Sequence, residues 1–457
     1  MSSIATPRVL QPFFPEDRLG RWAVAALYAG AFVAPLSISL GQVFQLVLLI
    51  IGAVFVKRHW TCLRSTALIW LPVAFAAFVI LRSAVAAWIE RPDLAASHWD
   101  EMTTWMKTAI VPIMIYGLAL AATGNWQRHG LVTGGMLLLG YCVYLLVHIS
   151  PSEMLAALQT SGRYNMELGF RSSAIKLPAI ITALVLTTTW LLAAFTQSGP
   201  GRRRILLAGS GIVALGLLAF FVAAIIATKS RNGWLTLLIM LAAALLLALW
   251  AYRGELHRIR GTMLAAAAAI IVMVGALASF SWEPISDRWA QTADSIQQTA
   301  KLPFQGSVEE LERDSVGVRV VYWAFGWERF LDRPLVGRGA ADQRHLTDEF
   351  PIPPQLEDRG DTYHNSHIDI LLRFGLIGYL MIAAFTGLLV LAAWRMLREP
   401  GIPRLAGLYT LAFLPGLAFW AMNAQILHRY TVEHFYGPIL ALSFAFAISK
   451  MLASRSP

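Results

Sequence analysis

Charge is scarce in this chain. Asp, Glu, Lys and Arg make up 14% of its 457 residues, against 57% hydrophobic residues. Soluble globular chains carry about a quarter charged residues, so an ordinary water-facing surface is excluded. The sequence reads as an all-α integral membrane protein. Cysteine is nearly absent. Cys62 falls in a predicted cytoplasmic loop and Cys142 inside an apolar run. Neither is expected to form a disulfide, and without a C-x-x-C spacing no zinc site is built from them. An Asp-x-Asp diphosphate motif, an internal repeat, a low-complexity tract and a soluble second domain are all missing. The net charge of +10 first suggests nucleic acid. Its placement argues otherwise, because the basic residues cluster in short loops between apolar runs, as membrane topology requires.

Apolar runs are what the chain has in abundance. A span needs about 20 mostly apolar residues. The segments 22–40, 43–56, 67–89, 108–122, 131–149, 173–196, 205–227, 234–251, 263–280, 368–394, 405–420 and 436–452 give about 12 expected transmembrane helices. The second and fourth are short, and are expected to be broken or tilted. The first follows Arg18 and Arg21, is too long for a signal-peptide core, and is read as a retained span. With the N-terminus inside, the inner loops hold Lys57, Arg58 and Arg64; Arg128; Arg202, Arg203 and Arg204; Arg253, Arg258 and Arg260; Arg395, Arg398 and Arg404; and Lys450 with Arg455. That is the positive-inside pattern with both termini cytoplasmic. The chain is expected to form one polytopic membrane domain over 1–457, with a large outer loop, 281–367, between the ninth and tenth spans. This loop carries the clustered acids Glu309, Glu310, Glu312, Glu357 and Asp358. Segments 286–302 and 315–332 have helical periodicity, and Pro334 stops the second.

Several cations lie on the wrong side of this pattern. Arg163 and Arg171 fall in one outer loop, Lys229 and Arg231 in a tight outer turn, and Arg319 in the large loop; Lys107 starts the fourth span and Arg82 lies inside the third. Ionisable groups at membrane depth are expensive and mark ligands or pathways, although each can also snorkel to headgroups. Arginine presents a planar fork that matches phosphate oxygens. His364 and His367 lie three apart where a polar segment becomes apolar, a spacing that shares one helix face. A metal pair, a catalytic base with a neighbour, and polar residues at a membrane surface all fit that spacing. His428, Arg429, Glu433 and His434 form a second polar cluster near the outer ends of the last two spans.

The turn "TKSRNGWLTLLI", the segment "RVVYWAFGWERFLDRPLVGRG" from Arg319 to Gly339, and "HNSHIDILLRFGLIG" from His364 to Gly378 together resemble the O-antigen ligase and polymerase superfamily. "GRYNMELGF" is a looser match to that family's arginine-containing outer loop. The resemblance covers the second half of the chain well and the first third hardly at all. Arg373 stands where the family commonly carries an acid, two residues before Gly375.

The resemblance implies a GT-C-like glycosyltransferase of the bacterial inner membrane, with its active site facing the periplasm. The donor would be polysaccharide on undecaprenyl pyrophosphate, and the acceptor a sugar hydroxyl of lipid A–core. His364 would be the base that takes the hydroxyl proton. Arg231, Arg319 and Arg163, with Arg171, Lys107 and Arg82, would bind the donor pyrophosphate and offset its charge. Asn365 and His367 would support. No metal or cofactor is expected, and a single displacement would invert the anomeric centre. Loop layout favours a ligase over a polymerase of the same superfamily. An anion-pathway transporter is the remaining alternative, and the lack of an internal repeat speaks against it.

Overall fold

In the computed structural model the described residues are 17–108, 110–148, 231–254, 315–341, 363–423 and 430–454, with a few isolated residues besides. Their regular secondary structure is helical, with no strand among them. Among the described residues, seven helical stretches are long and apolar enough to cross a membrane: Ile38–Arg58, Ala67–Glu90, Pro92–Ala122, Asn232–Ala251, Ser366–Met396, Ile402–Asn423 and Tyr436–Ala453. The chain is therefore a multi-pass membrane protein. The expected spans at 173–196, 205–227 and 263–280, and most of the loop 281–367, lie outside the described residues.

Helix α1, Arg18–Val33, begins on Asp17, whose carboxylate accepts the Gly20 N–H at 2.9 Å. The same carboxylate meets Arg58 at 2.7 Å, tying the start of α1 to the end of α2, Ile38–Arg58. The expected boundaries 22–40 and 43–56 shift here. Ser37 caps α2 just after Pro35, inside an apolar run, where hydropathy cannot register a cap. The second span is thus a full 21 residues rather than a short one.

Thr66 caps α3, Ala67–Val85. A π turn, Ala86–Glu90, and a 3-10 turn, Pro92–Leu94, carry the chain into α4, Ala95–Thr108, and α5, Val111–Ala122. The short fourth span is thereby part of a longer apolar stretch. Every residue of α5 from Pro112 to Ala122 is buried. A helix apolar all round is a core helix, and α5 is the centre on which α1, α2, α3 and α6, Trp126–His148, converge. Helix α2 buries the stripe Gly41, Gln45, Leu48, Gly52 and Phe55 toward it, and leaves Val43, Leu46 and Ile50 exposed where lipid would lie.

The remaining helices are α7, Arg231–Ala251; α8, Ser315–Asp332; α9, Ser366–Met396; α10, Ile402–Asn423; and α11, Tyr430–Ala453. Helix α11 packs along α5, and both α7 and α9 pack along α10. Helices α7 and α9 end together, where Trp250 stacks on Trp394 at 4.6 Å. Their N-termini consequently share the opposite end of the bundle. That polar end holds the candidate site, and the other end collects the basic loops.

Candidate functional site

Helix α9 is broken. Gly375 adopts φ +62, ψ −166 inside it, a region open essentially only to glycine. An unbroken helix would bond the N–H groups of residues 376 and 377 to the carbonyls of 372 and 373. Here the loop 334–339 enters that ladder. Leu376 N–H donates to the Pro334 carbonyl at 2.8 Å and Ile377 N–H to that of Leu335 at 3.1 Å. Arg338 and Gly339 N–H in turn donate to the carbonyls of Leu372 and Arg373, at 2.8 and 2.9 Å. All four groups freed by the break are satisfied, each of which would cost about 1–3 kcal/mol if left buried and unpaired. Irregular backbone at membrane depth is tolerated where protein buries it. Gly337, at φ +68, permits the approach, since a Cβ there would sit 2.4 Å from the Arg373 carbonyl carbon. Two motifs that are separate in sequence, "DRPLVGRG" and "RFGLIG", thus fold as one junction.

Side chains from α3 and α4 grip this loop. Arg82 is buried and donates through Nε and Nη2 to the Gly337 carbonyl, at 3.0 and 2.8 Å. Its Nη2 also meets Glu90 at 2.6 Å, and Glu90 pairs with Arg333. The π turn at 86–90 sets Glu90 in place for both. His98 on α4, itself buried, accepts the Ala341 N–H at Nδ1 at 3.1 Å. Arg373 is held by Asp369 one turn before it, at 2.7 Å, and reaches Glu101 at 3.5 Å and the Trp105 ring at 5.9 Å. Phe374 is fully buried against Phe75, Phe78 and Trp105.

The head of α9 makes His364 and His367 unequal. Asn365 is the N-cap, its side chain accepting the N–H groups of His367 and Ile368 at 2.9 and 3.2 Å. The helix start is therefore held by Asn365, while Arg373 is occupied deeper, with the acids. His364 lies outside the helix at φ +49, the one non-glycine with positive φ among the described residues. The pair does not share a helix face, contrary to what the H-x-x-H spacing suggests. His367 is engaged at both ring nitrogens. Nε2 donates to the Ala418 carbonyl at 3.3 Å, and Nδ1 lies 3.2 Å from the Tyr379 hydroxyl. It pins α9 to α10.

Helix α8 docks on this corner. Tyr322, Phe330, Tyr363 and Leu372 form a small core, and Trp323 donates to the Tyr363 carbonyl at 3.0 Å. A Cβ on Gly326 would meet Ile368 at 2.6 Å and Tyr363 at 3.0 Å. Arg319, half-buried, shares the helix face of Tyr322, Trp323 and Gly326 by periodicity. That face packs on Tyr363. Arg231 is the first residue of α7, at the same polar end of the bundle. Lys107 is exposed in the last turn of α4. Arg163, Arg171, His428 and Arg429 lie outside the described residues.

Glu90, His98, Glu101 and Asp369 complete the junction, and the sequence reading passed over them. Only Asp369 left a signal, as the acid four residues before Arg373. Arg82→Met should test the grip directly. It keeps the apolar stem but removes both bonds to Gly337, at an expected cost of about 2 kcal/mol. A lower thermal midpoint, with faster proteolysis within 333–341, is the expected result; unchanged values would show that the loop holds without it.

No curated protein matches the chain. Residues 215–383, which carry α7, α8, the junction and the head of α9, match the family model described as O-antigen ligase, as expected of a member of the O-antigen ligase-like superfamily.

Proposed function

We propose that the chain is an O-antigen ligase. It transfers polysaccharide from undecaprenyl pyrophosphate to a sugar hydroxyl of lipid A–core, at the periplasmic face of the inner membrane. The observation that supports this most is the position of His364, held out of the helix at the head of a broken span and next in sequence to Tyr363, on which the α8 face that carries Arg319 packs. A neutral imidazole there takes the acceptor hydroxyl's proton as the oxygen attacks the anomeric carbon. Arg231 and Arg319, with Arg163 and Arg171, meet the charge that builds on the departing pyrophosphate. Arginine forks suit that task without a divalent cation, and one displacement inverts the anomeric centre. Arg82 acts on the loop rather than on the donor. The basic end of the bundle faces the cytoplasm, which turns the 281–367 loop to the periplasm.

Deleting the gene separates ligase from polymerase. Loss of the ligase leaves long chains on undecaprenyl pyrophosphate and bare lipid A–core. Single repeat units on the core would instead mark a polymerase. Arg231→Ala and Arg319→Ala should each weaken donor binding and turnover together, by about tenfold or more, the loss of one charge-assisted contact. Donor binding equal to wild type in both would remove them from the pyrophosphate site.

A further inference from the structure

At the end of the bundle opposite the junction, a cleft of about 660 Å³ opens between the start of α3 and the ends of α9 and α11. Its rim and its walls differ in chemistry. Arg395, Arg398 and Lys450 line the outer part, with Glu399 as the one carboxylate. Glu399 is matched by Lys450 at 2.7 Å, so the two arginines are in excess. Leu391, Phe446 and Met451 add apolar surface to the lining, and Lys450 lies 5.6 Å over the Phe446 ring. Beside the cleft, Trp250 stacks on Trp394, Arg253 lies over Trp250 and Arg404 over Tyr252. Aromatic and basic side chains gathered in this way mark the headgroup level of a bilayer.

We propose that this cleft is a binding site for an acidic phospholipid of the leaflet at that end. The phosphate lies on Arg395 and Arg398, and an acyl chain lies along Leu391 and Phe446. Charge selects the lipid. A net-positive rim favours an anionic headgroup over a zwitterionic one, and basic pockets between membrane helices take such headgroups. The apolar walls match a lipid tail and would gain nothing from a free phosphate ion. The site is separate from the transfer chemistry and stands whether or not that reading holds.

The test uses the full chain in nanodiscs of phosphatidylcholine with phosphatidylglycerol, released and weighed intact by native mass spectrometry. The wild type should retain phosphatidylglycerol in preference to phosphatidylcholine. Arg395→Gln with Arg398→Gln should lower that retention about 30-fold, at about 1 kcal/mol per cation. Both positions are exposed, so the fold should survive. Arg395→Lys with Arg398→Lys keeps the charge and should keep most of the binding. Equal retention of both lipids by the wild type, undiminished retention in the glutamine variant, or displacement of the lipid by millimolar inorganic phosphate would each overturn the proposal.

Discussion

Gly375→Ala is expected to unfold the head of α9. Alanine pays about 1–3 kcal/mol merely to occupy φ +62, ψ −166. Its Cβ would also stand 2.3 Å from the carbonyl carbon and oxygen of Leu335, so the loop must retreat. Retreat opens the four inter-segment backbone bonds between 334–339 and 372–377. At about 1 kcal/mol for each bond, the total is a large share of the stability of a typical domain. The variant should accumulate poorly in membranes and melt well below the wild type in detergent. Gly387→Ala is the matched control in the same helix. No atom lies within 4 Å of its would-be Cβ, so helix propensity alone should leave it as stable or slightly more stable, by up to about 1 kcal/mol. If Gly375→Ala melted with the wild type, the account of the broken helix would be wrong.

His364→Asn is expected to abolish turnover while sparing the fold. The backbone at φ +49 is one that asparagine and histidine both adopt more readily than most residues. Asparagine therefore keeps the local conformation that alanine would strain. The cap is made by the Asn365 side chain, and the small core by Tyr322, Phe330, Tyr363 and Leu372. What asparagine cannot do is accept a proton. Removing a positioned general base lowers rates by about 10²–10⁴. His364→Ala should lose as much activity, and somewhat more stability. His367→Ala should behave differently. It would loosen the tie to Ala418 on α10 and weaken the protein, with only a secondary effect on rate.

Much of the architecture was legible in apolar runs. The spans at 67–89, 234–251 and 405–420 match helices to within a few residues, because lipid-facing and core-facing helices are both apolar and hydropathy finds them alike. The boundary between α1 and α2 was misplaced for the same reason: Ser37 starts a new helix within a run that never becomes polar. The motifs were legible as separate segments. Their union was not, because it runs through backbone hydrogen bonds between residues about 40 apart, and backbone bonds leave no side-chain signature. Gly337, Gly339 and Gly375 were traces of it, as glycines where two backbones touch. Arg82 drew notice as a costly charge inside a span. Its engagement with Gly337 and Glu90 could not be read, since nothing in sequence links positions 82 and 337. The histidine pair misled through its spacing. A rule about helix faces applies only within a helix, and Asn365 starts the helix one residue too late for His364 to join it.

The most direct test of the central claim is a transfer assay with purified protein in EDTA, supplied with undecaprenyl-pyrophosphate-linked polysaccharide and lipid A–core. Wild type and His364→Asn are compared at equal folded concentration, and donor binding is measured in the same preparations. The account predicts that the wild type joins donor to acceptor with the chelator present, and that His364→Asn binds donor as tightly yet turns over at least about 100-fold more slowly. Wild-type turnover by His364→Asn, or no joining by the wild type until a divalent cation is added, would contradict it.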